Sequence, residues 1–289
     1  SFGRFKLNGG IRWDNNLLKV DDNFISNGDD SGKIKLSAWN NEIGLSYKVL
    51  KKSYLYINLS ESYETPTLSE LSSNPSDQGG FNNLLSIQKA KNFDFGLRFK
   101  SKSTNFSVVG FVVNTENDFV PYELEQFPGR TFYQNAGKTL RKEFEIDFNH
   151  QLNKNFSTSI TYNYTNFKYD EYISGNLNLK GKYLPGIPTR FGNFELKYKN
   201  SKKIIVTYSR NYRGNLYAND NNTVEISSFW RDDINLSIPL KVGKNSFDFF
   251  LGCNNIFDKL YSDNVRINAF GNRFYEAAPG RIFFTGIKF

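Results

Sequence analysis

The chain has 289 residues, 38% of them apolar, and a formal net charge of +8. It contains no run of about 18 consecutive apolar residues, which excludes a membrane-spanning helix. Aromatic residues nevertheless reach 17%, with 28 Phe and 17 Tyr, and this bias favours β-strands because aromatic rings fit a pleated surface. The only cysteine, Cys253, excludes an intrachain disulfide. Met is absent, so we expect a processed chain or a fragment.

Alternation of apolar and polar residues predicts antiparallel strands along the whole chain. In the segment RKEFEIDFNHQL, for example, Phe144, Ile146 and Phe148 alternate with acidic side chains. Each alternating run has about the length that crosses a bilayer as a tilted strand. The pattern predicts about twelve strands, near residues 2–14, 34–50, 53–63, 87–100, 103–119, 138–152, 155–169, 189–199, 202–215, 228–240, 245–258 and 280–289.

The connections between these strands alternate strictly between short turns and long loops. The turns are the segments LKKS, KSKS, LNKN, KNSKK and KVGKN, and the loops cover residues 14–33, 64–86, 120–137, 170–188, 216–227 and 259–279. Short turns on one rim and long loops on the other are typical of an outer-membrane β-barrel. A soluble β-sandwich also alternates apolar and polar residues but has no reason to keep this order of connections.

Aromatic residues and charges are distributed in the same way. We expect Trp13, Trp39 and Trp230 to lie at strand ends beside the loops, and a second group of aromatic residues beside the turns, as in the two aromatic girdles of a membrane barrel. The second group comprises Phe99, Phe106, Phe148, Phe156, Tyr198, Phe247 and Phe289. The loops carry net negative charge and the turns net positive charge. The positive charge therefore forms no basic stripe for nucleic acid, and no nucleic-acid partner is expected.

The alternation also predicts which side chains face outer-membrane lipid. These residues are Phe144, Ile146, Phe148, Ile160, Tyr162, Leu196, Val206, Leu236, Phe249 and Leu251. Their sequence neighbours, such as Asp248, then face the interior.

Five segments resemble, in the correct order, the C-terminal part of a TonB-dependent outer-membrane receptor. In LSESYETPTLSEL, Ser60, Pro66 and the pair Glu70–Leu71 match a family motif, with Tyr63 in the place of Phe and Glu64 in the place of the usual Arg. The other four are NPSDQGG…KAKNFDFGLRF, where a Pro-Glu pair is missing and Asp stands for Glu, YLPGIPTRFGNFELKY, NNIFDKLY and YEAAPGRIFFTGIKF. The resemblance covers roughly residues 55–289.

The resemblance implies a size larger than this chain. Barrels of that family have about 22 strands around a plug domain, so residues 1–289 are expected to form the C-terminal strands, with the plug and the earlier strands elsewhere. The family also implies energy from TonB, acting through the plug, and an assembly signal at a terminal aromatic residue, here Phe289. A self-contained twelve-stranded barrel, acting as a passive pore or an autotransporter-like anchor, is the alternative.

The residues favour transport over catalysis. The single histidine, His150, has the parity of the lipid-facing set, so no base faces the interior, and no enzyme activity, metal site or cofactor is expected.

Ferric siderophores, haem, cobalamin and glycans are ligands of the family, and haem is disfavoured because no loop contains a histidine. An anionic ferric chelate would suit arginine and tyrosine groups at the outer mouth. The candidates are Arg12, Arg130, Tyr133, Arg213, Arg231, Arg266, Arg273 and Tyr275.

Overall fold

A computed structural model describes residues 3–26, 28–76, 79–135, 137–174, 176–243 and 245–289. These residues form twenty strands and two short helices. In chain order they are β1 (Phe5–Val20), β2 (Gly32–Leu50), β3 (Ser53–Glu64), α1 (Leu68–Ser72), β4 (Gln88–Lys100), β5 (Thr104–Glu116), β6 (Phe119–Glu123), β7 (Thr131–Asn135), β8 (Lys138–Gln151), β9 (Phe156–Glu171), β10 (Ile173–Ser174), β11 (Leu177–Asn178), β12 (Arg190–Lys199), β13 (Ile205–Arg213), β14 (Leu216–Tyr217), β15 (Glu225–Ile226), β16 (Phe229–Val242), β17 (Asn245–Asn254), β18 (Ser262–Val265), a 3-10 helix (Phe270–Asn272), β19 (Tyr275–Ala277) and β20 (Ile282–Lys288).

Twelve of the strands form one antiparallel sheet. Its order is β1-β2-β3-β4-β5-β8-β9-β12-β13-β16-β17-β20, so each strand pairs with the next long strand in the chain. The other eight strands form four two-stranded hairpins within the loops. The predicted all-β antiparallel fold is therefore confirmed. Among the described residues β1 and β20 each have only one neighbour, so the sheet is open.

The boundaries of several strands differ from the sequence prediction. β1 continues to Val20 instead of ending near residue 14, and β2 begins at Gly32. β5 and β17 end earlier than predicted, where Asn117 and Asn255 adopt left-handed backbone angles with φ of 59° and 53°. Asn tolerates this conformation better than other non-glycine residues, and a residue in this conformation cannot continue a strand.

The expected position of two tryptophans is wrong. Trp13 and Trp39 pair directly across β1 and β2, with ring centroids 6.2 Å apart, well inside the strands. The hairpin of β1 and β2 continues past the two tryptophans because Leu18, Val20 and Ile34 pack against a buried loop cluster. Only Trp230, the second residue of β16, lies at a strand end beside a loop.

Short turns are fixed by side chains that replace missing backbone partners. The Asn153 side-chain oxygen accepts hydrogen bonds from the backbone N–H groups of Asn155 and Phe156, at 2.9 and 3.1 Å. The Ser101 hydroxyl accepts in the same way from the Thr104 N–H at 3.0 Å. Such local bonds favour turns over continued strands.

Aromatic pairs lie across the strands next to these turns. Phe106 contacts Phe148 with ring centroids 6.3 Å apart, Phe156 contacts Tyr198 at 4.9 Å, and Phe247 contacts Phe289 at 6.1 Å. Cross-strand aromatic pairs of this kind stabilise the end of a sheet.

The register places the ten predicted lipid-facing residues on one face of the sheet, which we call the apolar face. Ile146 lies opposite Tyr162, Val206 opposite Leu236, and Leu236 opposite Leu251. Residues opposite each other in a ladder point to the same side. The predicted alternation is therefore confirmed, and the opposite side, which we call the polar face, carries residues such as Asp248.

The long loops carry their own small cores. One contains Leu71, Phe81 and Leu85, and it begins at α1, whose N-terminus is closed by a capping box between Thr67 and Glu70. A second contains Val120, Tyr169, Tyr172, Leu179 and Leu184, and a third contains Leu216, Ala218, Ile226, Ala269 and Phe274.

A partly buried carboxylate, Asp220, joins these loops. The Tyr169 hydroxyl donates to Asp220 Oδ1 at 2.7 Å, and Asn268 Nδ2 donates to Asp220 Oδ2 at 2.9 Å and to the Pro121 carbonyl at 3.3 Å. Burial raises the pKa of the Asp220 carboxyl, and these two hydrogen bonds partly lower it. The raised pKa means that the folded protein binds the proton of Asp220 more tightly than the unfolded chain does. Ionisation of Asp220 therefore lowers the free energy of unfolding as the pH rises above about 4.

We predict that the two faces of β17 differ in their tolerance of charge. Phe249→Arg should cost about 2–4 kcal/mol in the free energy of unfolding from lipid, because the charge would face hydrocarbon. Asp248→Asn, on the polar face, should change it by less than about 1 kcal/mol. Reversible unfolding in liposomes measures both, and equal costs at the two positions would contradict the assigned faces.

We predict that Asp220 orders the loops without supporting the sheet. Asp220→Ala leaves the Tyr169 hydroxyl without its acceptor and removes one of the two acceptors of the Asn268 amide, so amides of residues 216–226 and 265–274 should exchange about tenfold faster. The strands β13 and β16 should keep their protection. Glu125→Ala, which removes an exposed loop carboxylate, is the matched control, and equal exchange in the two variants would refute the joining role.

Candidate functional site

Two candidate arginines lie on the polar face at the loop ends of β13 and β16. Arg213 is opposite Phe229, and Arg231 is opposite Asn211. Since these pairs are successive same-face positions, the two arginines are diagonal neighbours, about 7–8 Å apart at their Cα atoms. The register thus brings together two of the eight residues predicted from the sequence.

Arg213 has an incompletely paired guanidinium. Its Nη1 donates to the Asp263 carbonyl at 3.2 Å, and its guanidinium carbon lies 4.6 Å from the centre of the Phe229 ring. Its Nε and Nη2 atoms are buried and have no hydrogen-bond acceptor among the described residues. Buried donors without partners are costly in a folded protein, so this side chain can accept an anionic partner with a net gain.

Arg231 is held by a buried acid. Its Nη2 lies 3.0 Å from Asp233 Oδ2, and its Nε donates to the same oxygen at 3.1 Å. Asp233 is 5% exposed and also accepts from Asn211 Nδ2 at 3.2 Å and from the Asn255 backbone N–H at 2.8 Å. The carboxylate therefore fixes the position of Arg231 and neutralises its charge.

Two aromatic rings connect the arginines. Phe229 stacks on Tyr261 with ring centroids 4.1 Å apart, and Arg231 Nη1 lies 3.5 Å from the Tyr261 hydroxyl. We call the group Arg213, Phe229, Arg231, Asp233 and Tyr261 the arginine cluster. Its flat rings and guanidinium groups suit a ligand that combines negative oxygens with aromatic surface.

Sequence reasoning missed Phe229, Asp233 and Tyr261. Tyr261 lies in the segment NNIFDKLY, one of the five segments that resemble the family, and Asn255 in the same segment supplies the N–H that Asp233 accepts. Nothing in the linear pattern linked Tyr261 to Phe229, because the contact depends on how the loop folds back over β16.

Three other candidate arginines are occupied by near neighbours. Arg12 pairs with Asp14 at 2.6 Å, Arg266 pairs with Glu276 at 2.7 Å, and Arg273 Nε donates to the Phe270 carbonyl at 3.2 Å. The hydrogen bond between Arg266 and Glu276 raises the pKa of Arg266 and lowers the pKa of Glu276.

The remaining candidates lie in loop hairpins. Arg130 lies over Phe132, 4.9 Å from its ring centre, and Tyr133 packs against the loop core of Leu71. Tyr275, in β19, is 59% exposed. The contacts described for these residues do not join them to the arginine cluster.

The single histidine lies at the other end of the sheet. His150 Nδ1 is 2.8 Å from the Thr104 hydroxyl, and its ring stacks on Phe148 with centroids 5.9 Å apart. The described residues include no group of three His, Cys, Asp or Glu side chains that could hold a metal ion. Nor do they include a helix long and apolar enough to cross a membrane.

Comparison with known proteins gives a consistent family. Residues 1–256 match the model of the family described as TonB dependent receptor-like, beta-barrel. An uncharacterized TonB-dependent receptor of Haemophilus influenzae is 26% identical over 235 residues, which cover 79% of this chain and 65% of that protein. The chain thus spans slightly less than two thirds of this relative.

Solved structures share the fold. The copper transporter OprC has a TM-score of 0.76 at 20% identity, over all of this chain and 46% of its own. The siderophore receptor PiuA of Acinetobacter baumannii has a TM-score of 0.76 at 20% identity, over 99% of this chain and 41% of its own. The ferric citrate transporter FecA has a TM-score of 0.78 at 17% identity, over all of this chain and 43% of its own. With the family model matched over residues 1–256, the chain belongs to the TonB-dependent receptors, within their β-barrel region.

Proposed function

We propose that this chain forms the C-terminal wall of an outer-membrane receptor that imports an anionic ferric chelate. Family membership and the partial coverage of the relatives support this proposal. The open sheet supports it too, because edges in lipid would leave the backbone groups of β1 and β20 unpaired. The missing neighbours would be the earlier strands of the same barrel, around a plug domain.

The proposal of an anionic ligand rests on the unpaired hydrogen-bond donors of Arg213. In a barrel of this family the polar face lines the interior, and the arginine cluster lies at the outer mouth, beneath the loops. A carboxylate or catecholate oxygen of a chelate that displaces the groups covering Arg213 would accept from its Nε and Nη2 atoms, which lack partners. Arg231 would supply a second guanidinium as a hydrogen-bond donor, held in place by Asp233, which neutralises its charge.

Transport through this barrel would need energy from outside the chain. A plugged barrel opens only when work is done on the plug, and TonB would supply it through the plug. The carboxylate of the arginine cluster, Asp233, is occupied by Arg231, Asn211 and the Asn255 N–H, so we propose binding and passage without catalysis. A twelve-stranded passive pore would instead need β1 to pair with β20, and the structure has no such pairing among the described residues.

We predict that the arginine cluster contributes to affinity for the ligand. In the whole receptor, Arg213→Ala and Arg231→Ala should each weaken an anionic ferric chelate by about 1–3 kcal/mol, because a charge-assisted contact away from water is lost. Titration with a panel of ferric chelates measures this, and Arg281→Ala, an exposed loop arginine outside the cluster, is the matched control.

The outcomes of that titration separate the parts of the proposal. Equal affinity in wild type and both variants would remove the cluster from the site. Saturable binding of a glycan, a peptide or free copper ion, with no chelate bound, would overturn the iron assignment and leave the barrel assignment intact.

We predict that Phe289 acts in assembly more than in stability. Its side chain is 96% exposed and contacts Phe247, so deleting it removes little buried surface. The amount of folded protein in the outer membrane should fall severalfold while the unfolding free energy changes by less than about 1 kcal/mol. Leu260→Ala, which removes another exposed apolar side chain, is the control, and unchanged assembly kinetics in the deletion would contradict the signal.

A further inference from the structure

The apolar face carries positive charges at its loop end. Lys142 lies opposite Asn166, and Arg190 lies opposite Tyr164. Lys168 is two residues beyond Asn166 on the same strand and lies opposite Leu140. All three therefore share the face of Phe144 and Ile146, and we call them the basic patch.

The spacing of the basic patch allows one group to contact all three cations. Lys142 and Lys168 are diagonal neighbours, about 7–8 Å apart at Cα. Arg190 is two strands from Lys142, which places their Cα atoms about 12 Å apart. Side chains of this length can converge on a single headgroup from those positions.

No carboxylate neutralises the basic patch within the described part of the chain. Lys168 lies over the Tyr183 ring at 4.5 Å and Arg190 over the Tyr164 ring at 5.9 Å, and neither takes part in a described ion pair. Other cations near this rim are paired: Lys138 with Glu171 at 3.1 Å and Arg210 with Asp232 at 3.4 Å. Five neighbours of the basic patch on the apolar face are not acidic; they are Val112, Asn114, Leu140, Asn166 and Gly192. Two acidic residues follow Lys168 at the end of β9: Glu171 pairs with Lys138, and Asp170 takes part in no described ion pair with the basic patch.

An apolar wall continues directly below the basic patch. Phe144 lies opposite Tyr164, Ile146 opposite Tyr162 and Phe148 opposite Ile160. A soluble anion gains nothing from such a wall, whereas a lipid can place its headgroup on the cations and its acyl chains on the aromatic and aliphatic side chains. The charge and the apolar surface together select a lipid with an anionic headgroup.

We propose that the basic patch binds the phosphorylated headgroup of an outer-leaflet lipid, whose acyl chains lie along Phe144, Ile146 and Ile160. This inference rests on the proposed placement of the strands in the outer membrane. Phosphate suits the site because Arg donates to it bidentately and Lys supplies point charges. The patch lies on the opposite face from the arginine cluster, so the two sites bind different classes of ligand.

The test uses the protein extracted from outer membranes as it is expressed there. Binding of diphosphorylated lipid A in detergent is titrated by native mass spectrometry, beside its dephosphorylated form and inorganic phosphate as competitor. The triple variant Lys142→Gln, Lys168→Gln, Arg190→Gln should bind at least about tenfold more weakly, since each cation near an anionic lipid surface contributes several-fold. The charge-preserving variant Lys142→Arg, Lys168→Arg, Arg190→Lys should keep most of the affinity.

A matched control removes three cations from the opposite rim, by Lys100→Gln, Lys102→Gln and Lys154→Gln. Unchanged affinity in this control supports a local site. The proposal is overturned by equal affinity in the triple variant, by equal binding of the dephosphorylated lipid, by an equal loss in the control, or by full displacement with inorganic phosphate, which would indicate a small-ion site. If the triple variant does not assemble, each single substitution should weaken binding about threefold, and no loss in any of them overturns the proposal.

Binding of ferric chelates is measured on the same preparations. Wild-type and triple-variant proteins should bind a chelate equally, because the basic patch and the arginine cluster occupy opposite faces. Failure of chelate binding in every preparation, with lipid binding intact, would refute the proposed transport function and leave the lipid site standing.

Discussion

The ladder of backbone hydrogen bonds across the twelve-stranded sheet is the constraint from which the other features follow. In lipid a strand has no water to satisfy its N–H and C=O groups, so every strand needs a neighbour on each side. The ladder also fixes register, and register fixes which side chains share a face. Phe249 and Asp248 lie on opposite faces because side chains alternate along a strand, and the register then places each beside the residue of β16 on its own face.

Residues from distant parts of the chain meet because the ladder aligns the strand ends. Arg213 is the last residue of β13 and Arg231 the third residue of β16, which makes them neighbours on the polar face. The two arginines have different partners because of the loops. Asn255, which follows β17, donates its backbone N–H to Asp233, and Asp233 forms an ion pair with Arg231. Arg213 receives only one carbonyl from the loop, so one arginine is fixed and the other keeps free donors.

The alternation of the sequence was sufficient to predict the sheet and its faces, because a period of two is a local property of the chain. It was not sufficient for β1, where NNLLKV breaks the alternation. The strand continues there because Leu18 and Val20 pack on the core of Leu71, Phe81 and Leu85. The stacking of Phe229 on Tyr261 depends equally on a fold-back across the loop. Contacts of this kind depend on tertiary structure, so residues such as Asp233 become visible only when the register is known.

Charge on this sheet has different meanings on its two faces. On the polar face a cation can be neutralised by a neighbour in a water-accessible interior, as Arg231 is by Asp233, so an arginine there gains significance only when its donors remain unpaired. On the apolar face every unpaired cation carries a desolvation cost unless a headgroup meets it. Lys142 and Arg190 lie at the loop end of that face without a carboxylate partner in the described structure, whereas Phe144 and Ile146 continue below them. In the proposed outer-membrane placement this cost is offset at the level of the headgroups, so the basic patch and the apolar wall below it would mark the boundary between headgroups and hydrocarbon.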